Sequence, residues 1–487
     1  MKRSYLTKYL VLLVIMFICS SLYSETTAER PVNYGSERAG SRDNPFLIST
    51  LGNLRWLSQT SRYWGHGTTR FYFLQTNDID ATETKNWSEG MGFMPIGADA
   101  WDSKQPFMGR YDGDNHAISN LFIDFRHTGW ITDFIPHVAM FGYTRGAEIR
   151  NLHLINLEYH ASMIDNAASL IGNTESTLIE NCSATGVINS EGGLSFVSGL
   201  TAMTHSSTIS RSSSSVTLKI KGVETIVGGL VGYLQRSTLR DSYFLGSVII
   251  KEPYLSQGGL VGIVQNSTIR NCYLARISGD NDLISIFGSI RDVTIESNFW
   301  DSEITDITKL YNTVHADSGE NTINNNFGLK TVTMKLSETF VVFGWDFEYI
   351  WNINPEINNG YPHLRPLSEP NNEYDYAIDP RGNYLFSNFP NPFNPSTTIR
   401  FAVGAMSLSP AKSGHRDMSS TTHVRINVYN LRGQLINTLV DEVKGVGTHS
   451  VVWNGTDQHG NRVASGVYFY RLETSTGNDI RRMVLMK

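Results

Sequence analysis

Cysteine is nearly absent, with three in 487 residues. Cys19 lies in an N-terminal apolar run, which leaves Cys182 and Cys272. Two thiols do not make a disulfide framework, and neither has the partner spacing of a metal site. Charge is also sparse, at 18% of residues with a net of -6. No cluster of lysine and arginine builds the footprint that nucleic acid requires, so no nucleic-acid partner is expected. None of the 13 histidines is followed by glutamate, so the zinc-protease pattern H-E-x-x-H is missing. The G-x-S-x-G nucleophile elbow and the phosphate-cradling G-x-x-x-x-G-K are missing too. No metal ligand set and no catalytic motif can be named.

What is present begins with a leader. Lys2, Arg3 and Lys8 precede an apolar run from Leu10 to Ile18, and small residues follow near Ser24. Residues 1–24 read as an export signal peptide, too short for a comfortable membrane span. No later stretch is long and apolar enough to cross a bilayer, so none is expected after cleavage.

The chain then repeats itself. Met140, Leu170, Leu200, Leu230 and Leu260 follow one another at intervals of thirty, and so do Ile149, Ile179, Ile209, Leu239 and Ile269. Both columns shorten together by four at Ile286 and Ile295. A shared period means one structural unit per repeat, stacked like on like. Short Val/Ile/Thr/Tyr runs broken by Gly, Asn and Ser argue against helix pairs. Thirty residues fit three short strands and three turns, one coil of a parallel β-helix with coils about 4.8 Å apart. Gly228, Gly229, Gly258 and Gly259 are expected at sharp corners with positive φ. Asn151, Asn181, Asp241 and Asn271 share a column in which side chains satisfy turn backbone between coils, interrupted by Arg211 and Ser297. Cys182 and Cys272 fall three coils apart, roughly 14 Å, which predicts two free, packed thiols.

The segment "GGLVG" followed by "STIRNCY" resembles the GLUG-motif repeats of bacterial surface proteins, some of which accompany immunoglobulin A peptidases. The resemblance extends from about residue 40 to 366. It implies an N-terminal cap with the first coils (40–135), a repeat β-helix (136–300) and a closing segment (301–366). A short helix around "LRWLSQ" is expected to cover one end, and the aromatic stretch from Phe340 to Tyr361 the other. The peptidase activity does not transfer, because its metal motif is missing.

Residues 367–387, rich in Pro, Asn and acids, read as a linker. Residues 388–487 alternate strands and turns in the manner of a seven-strand immunoglobulin-like sandwich. This segment resembles the C-terminal sorting domain of type IX secretion cargo. Pro390, Asn391, Pro392, Phe393, Asn394 and Pro395 carry the likeness, with Gly466, Tyr468 and the terminal Lys487. It implies the type IX secretion machinery as a partner, and passage across both membranes to the cell surface or beyond. A polar insertion from Gly404 to His423 departs from the pattern.

Two sets of residues remain as candidates for chemistry. Asp78, Asp80, Asp112 and Asp114 are the acidic pairs that would serve a polysaccharide-cleaving site, or bind calcium. The competing reading makes them turn residues. Trp64, Trp87, Trp101, Tyr233, Tyr243 and Tyr273 are the aromatic faces on which a sugar would stack, unless they fill core and caps. The expected protein is all-β: a parallel β-helix followed by an immunoglobulin-like sandwich. The expected function is a non-enzymatic adhesin, carbohydrate-binding or surface-structural role, with a polysaccharide lyase or glycoside hydrolase as the alternative. No cofactor is expected, with calcium at the aspartates left open, and a polysaccharide or surface glycan is the candidate ligand.

Overall fold

A computed structural model of the chain describes residues 25–366 apart from 100–103, 127–136, 162–165, 192, 194, 222, 252–254, 276–284, 306, 315–318 and 348. Of the remainder it describes 384, 385, 388, 393–403, 421–445, 447–474 and 477–486. The leader, Trp101, Pro390, Asn391, Pro392, Lys487, nearly all of the linker and most of the polar insertion lie outside the described residues. Internal contacts divide the chain into two compact units that part between Arg365 and Pro366.

The first unit is a parallel β-solenoid. Its strands stack into sheets of 10, 11 and 7 members, with a fourth, three-stranded sheet on part of the circumference. The register is the one the period predicts: Ile149 pairs with Ile179, then Ile209, Leu239, Ile269 and Ile295 in succession. All six are fully buried, as is the inward row Tyr159, Ile188, Leu218 and Val248 of another face. Each coil exposes an apolar ring above and below, so only stacking removes that surface from water.

The corners correct one expectation. Positive φ belongs to Asn151, Asn181, Arg211, Asp241, Asn271 and Ser297, all between 48° and 56°. The asparagine ladder is real where it is continuous. Asn181 Nδ2 donates to Asn151 Oδ1 at 2.8 Å, and Asn271 Nδ2 to Asp241 Oδ1 at 3.1 Å. Gly228, Gly229 and Gly258 do not have positive φ. They are needed for space: a Cβ on Gly228 would stand 1.8 Å from the Val231 carbonyl oxygen, and one on Gly229 2.0 Å from that of Gly259.

Cys182 and Cys272 occupy a corner column whose intervening members are Ser212 and Ser242. The Cys182 amide donates to Ser212 Oγ at 3.1 Å, and the Ser212 amide to Ser242 Oγ at 3.2 Å. Both thiols are free and buried. Burial pushes the Cys182 thiol up to about 12 and raises that of Cys272 as well.

At the N-terminal end, helix Leu51–Gln59 starts on a capping box between Thr50 and Asn53 and buries Leu54, Trp56 and Leu57. The other end differs from expectation. Strands Lys309–Val314, Thr322–Asn324 and Phe327–Leu329 add a final, largely exposed coil. The aromatic stretch then turns back along the flank instead of covering that coil's end. Trp345, Trp351 and Tyr361 pack with Tyr243, Tyr273 and Phe299, which belong to three successive coils. Both residues that interrupt the asparagine ladder secure this segment. Arg211 Nη2 donates to the Arg365 carbonyl at 3.0 Å, and Ser297 Oγ to that of Phe343 at 3.0 Å.

The second unit has the antiparallel, seven-strand composition expected of a sandwich, in sheets of three and four strands among the described residues. Phe393, Ile399, Phe401, Ile426, Trp453, Tyr470 and Met483 form its core. Phe393 exchanges backbone hydrogen bonds with Val484 and Met486, both 2.9 Å, while Asn394 and Pro395 are exposed. Gly466 opens strand Gly466–Thr474, and the Tyr468 hydroxyl donates to the Ala464 carbonyl at 2.7 Å.

The thiol assignment is testable by labelling. A thiol-specific reagent at neutral pH should leave Cys182 and Cys272 unmodified in the native protein and modify both after denaturation. Modification of either in the native state, read by peptide mass, would contradict the packing.

Candidate functional site

The four aspartates do not converge. Asp78 accepts from the Ala117 amide at 2.8 Å and faces His116 Nδ1 at 3.2 Å. Asp80 accepts from the Thr82 amide and hydroxyl and from Asn120 Nδ2. Asp112, in register with Arg150, ends the asparagine ladder by accepting from Asn151 Nδ2, and also accepts from the amide of Asp114, whose φ is 49°. All behave as turn residues. The Ala117 amide holds Asp78, and the Thr82 hydroxyl holds Asp80, below the usual carboxylate range. That is opposite to the shift a general acid needs. Among the described residues, no group of three or more His, Cys, Asp or Glu is placed to hold a metal ion.

Most of the aromatic candidates are interior. Trp64 and Trp87 are buried, the first donating to the Leu57 carbonyl at 2.8 Å, the second under the Arg55 guanidinium at 4.4 Å. Tyr243 and Tyr273 stack on each other at 5.0 Å beneath the closing segment. Tyr233 alone of the described candidates is half-exposed. Its ring stacks on Phe196 at 5.8 Å, and its hydroxyl donates to Gln265 Oε1 at 2.6 Å.

A concavity lies elsewhere, on the flank of the 11-stranded sheet. It is a groove of about 370 Å³ lined by Thr82, Lys85, Asn120, Asn156, Glu158 and Lys219, with Leu157, Val187 and Asn189. That volume lies within the range of small-molecule sites. The lining comes from five neighbouring strand levels, a run of about 19 Å at the inter-strand spacing.

A break in the stacking makes the groove. Strand His153–Ala161 carries one extra residue relative to Ser183–Ser190, and the register shifts between Leu154 and Leu157. Such a bulge bends the strand and re-aims its side chains. Ile155 is turned outward, and Asn156 takes φ 55°, as does its counterpart Asn120 at 60° one level away. On the next level Gly186 adopts φ 135°, where a Cβ would stand 2.2 Å from the Leu157 carbonyl oxygen. Side chains then brace the floor: Asn156 Nδ2 donates to Asn120 Oδ1 at 2.7 Å, and Asn120 Nδ2 to Asp80 Oδ1 at 3.0 Å. Asp80, singled out for catalysis, therefore anchors one end of this amide ladder.

Glu158 is the groove's carboxylate, and it is engaged. Lys85 Nζ donates to it at 2.7 Å, and His160 Nε2 lies 3.1 Å from its other oxygen. Among the described lining residues Glu158 is the one carboxylate, with Asp80 reached through Thr82 and Asn120. The arrangement offers amides, ammonium groups and a hydroxyl, which is recognition chemistry. The sequence carried a signal for it in the Asn-Leu pairs at 120–121 and 156–157, thirty-six residues apart, outside the main period.

The Lys85 hydrogen bond holds Glu158 below the usual carboxylate range, ahead of the contribution from His160. A depressed carboxylate contributes stability above its unfolded value of about 4.3, lost as pH falls through the lower folded value. The pair should therefore persist from neutrality down to that unfolded value and open only below it. Carboxyl-carbon NMR of Glu158 checks this; titration at or above the ordinary value would contradict the pairing.

Residues 411–478 match the FlgD Ig-like domain family. Halomucin of Haloquadratum walsbyi is 32% identical over 154 residues, which are 31% of this chain and 2% of that protein. Among solved structures, IgA1 Protease aligns over 68% of this chain and 26% of its own, at 17% identity and a TM-score of 0.41. Dimeric latent PorU from Porphyromonas gingivalis aligns over 26% of this chain and 10% of its own, at 19% identity and a TM-score of 0.17. The chain spans a small part of each of these relatives.

Proposed function

We propose that this chain is a non-catalytic β-solenoid protein of the cell surface or extracellular space, whose flank groove binds glycan. The groove's lining carries the reading: amides, two ammonium groups and one carboxylate committed to a lysine, without, among the described lining residues, the second acid that glycoside cleavage uses. Sugars present hydroxyls in both donor and acceptor roles, which amide side chains answer from one group. The half-exposed Tyr233 on the seven-stranded face is a second, aromatic contact for the same class of ligand.

The route outward is the second part of the proposal. The apolar leader takes the chain across the inner membrane, and residues 388–487 are read by type IX secretion machinery. The resemblance of the segment from Pro390 to Pro395, with Gly466 and Tyr468, supports this, as does the immunoglobulin-like family match. The GLUG-type repeats supply the rigid rod that carries the groove.

Incubating the full chain with a panel of bacterial, plant and host polysaccharides, and scoring retention and new chain ends in the same tubes, tests the binding reading. Retention without new ends is expected. New ends would overturn it in favour of a lyase or hydrolase. For export, deleting residues 388–487 in a type IX-competent host should leave the protein inside the cell envelope; unchanged surface or medium levels would remove the sorting role.

A further inference from the structure

The outward faces of neighbouring strands place Asn189 directly beside Lys219, in register across adjacent coils. Both line the groove. The charges nearest to it are committed: Lys85 to Glu158 at 2.7 Å, and Lys221 to Glu191 at 2.9 Å. Lys219 has no carboxylate partner among the described residues, and its register neighbours are Asn189 and Ile249, neither of them acidic. The positive charge is local: Asp80, bonded to the lining residues Thr82 and Asn120, lies about four strand steps away at the opposite end, and the ammonium at the near end is that of Lys219.

We infer that the groove takes a glycan bearing an anionic group, seated on Lys219 with Asn189 as the adjoining hydrogen-bond donor. This rests on the glycan-binding reading above and narrows it to acidic polysaccharides. The geometry separates two tasks. Asn120 and Asn156, braced against each other and against Asp80, present a fixed amide edge to neutral hydroxyls. About two to three strand steps further along the axis, Lys219 supplies a compact point charge. An ammonium answers a sugar carboxylate or a sulfate ester alike, because both are oxyanions with several acceptor oxygens. The committed Lys85–Glu158 pair between them adds no net charge.

Binding of the full chain is measured by calorimetry against polygalacturonate, its carboxyl-reduced neutral form, and dextran sulfate with dextran as its neutral counterpart. Tighter binding to an anionic glycan than to its neutral counterpart is expected, with the preference shrinking as salt rises. Lys219→Gln should lower affinity for the anionic form about fivefold, the size of a solvent-exposed ion pair, and leave neutral binding unchanged. Lys219→Arg should restore most of the loss. Lys221→Gln, outside the groove, should change nothing. A preference for polygalacturonate assigns a carboxylate, and one for dextran sulfate a sulfate; either, abolished by Lys219→Gln, supports the inference. Equal binding to charged and neutral forms, or a preference untouched by Lys219→Gln, overturns it while leaving glycan binding intact. Binding to none of them overturns both.

Discussion

Everything in the first unit depends on backbone hydrogen bonds that hold each coil one strand spacing above the last. Parallel stacking in strict register puts every side chain on its own counterpart. For aliphatic residues this is favourable, since the columns through Ile149 and Leu230 bury each other. For amides it is favourable too, because each can donate to one neighbour and accept from the next. For charges it is hazardous: like would face like at about 5 Å. The sequence meets this at several positions by setting opposite signs on adjacent coils, while Arg240 lies over Arg270. Arg110 lies over Glu148, Arg145 over Glu175, and Arg270 over Glu296, at 2.8, 2.9 and 3.0 Å. Low overall charge and short polar columns follow from the same constraint.

The candidate site lies where that constraint is relaxed. A single additional residue in strand His153–Ala161 uncouples its outward side chains from those of the next coil, and Gly186 absorbs the misfit. A strictly regular solenoid presents flat ribbons of identical side chains. The bulge converts part of one ribbon into a concavity with unlike groups around it. Bulges commonly mark functional positions for this reason.

Much of the fold was legible because stacking writes itself into the sequence as periodic columns. Register, strand class, the asparagine ladder and the separation of Cys182 from Cys272 all follow from counting. Glycine was misread because two demands on it look alike in sequence: Gly228 and Gly229 serve close approach, while Asn, Asp, Ser and even Arg211 take the left-handed corners. Of the two readings open for the aromatic residues, packing is the one that holds for Trp64, Trp87, Tyr243 and Tyr273, which sequence alone could not decide because a buried ring and a stacking face use the same residue types. The groove was hidden for a different reason. Asn120, Asn156 and Asn189 do not share the thirty-residue period, and no local pattern says that Lys85 and Glu158 meet across 73 positions.

The attachment of the closing segment has a mechanical consequence. Chain leaving the solenoid does so through Arg365, whose carbonyl is gripped by Arg211. Arg211 belongs to a coil well inside the stack, followed by those of Asp241, Asn271 and Ser297. Tension applied from the C-terminal side therefore enters the rod near its middle instead of at its last turn. The terminal coils, with few neighbours to hold them, are bypassed by the load. Peeling from the end, the easy way to unzip a stack, would first require tearing a lateral splint of aromatic rings off several coils together.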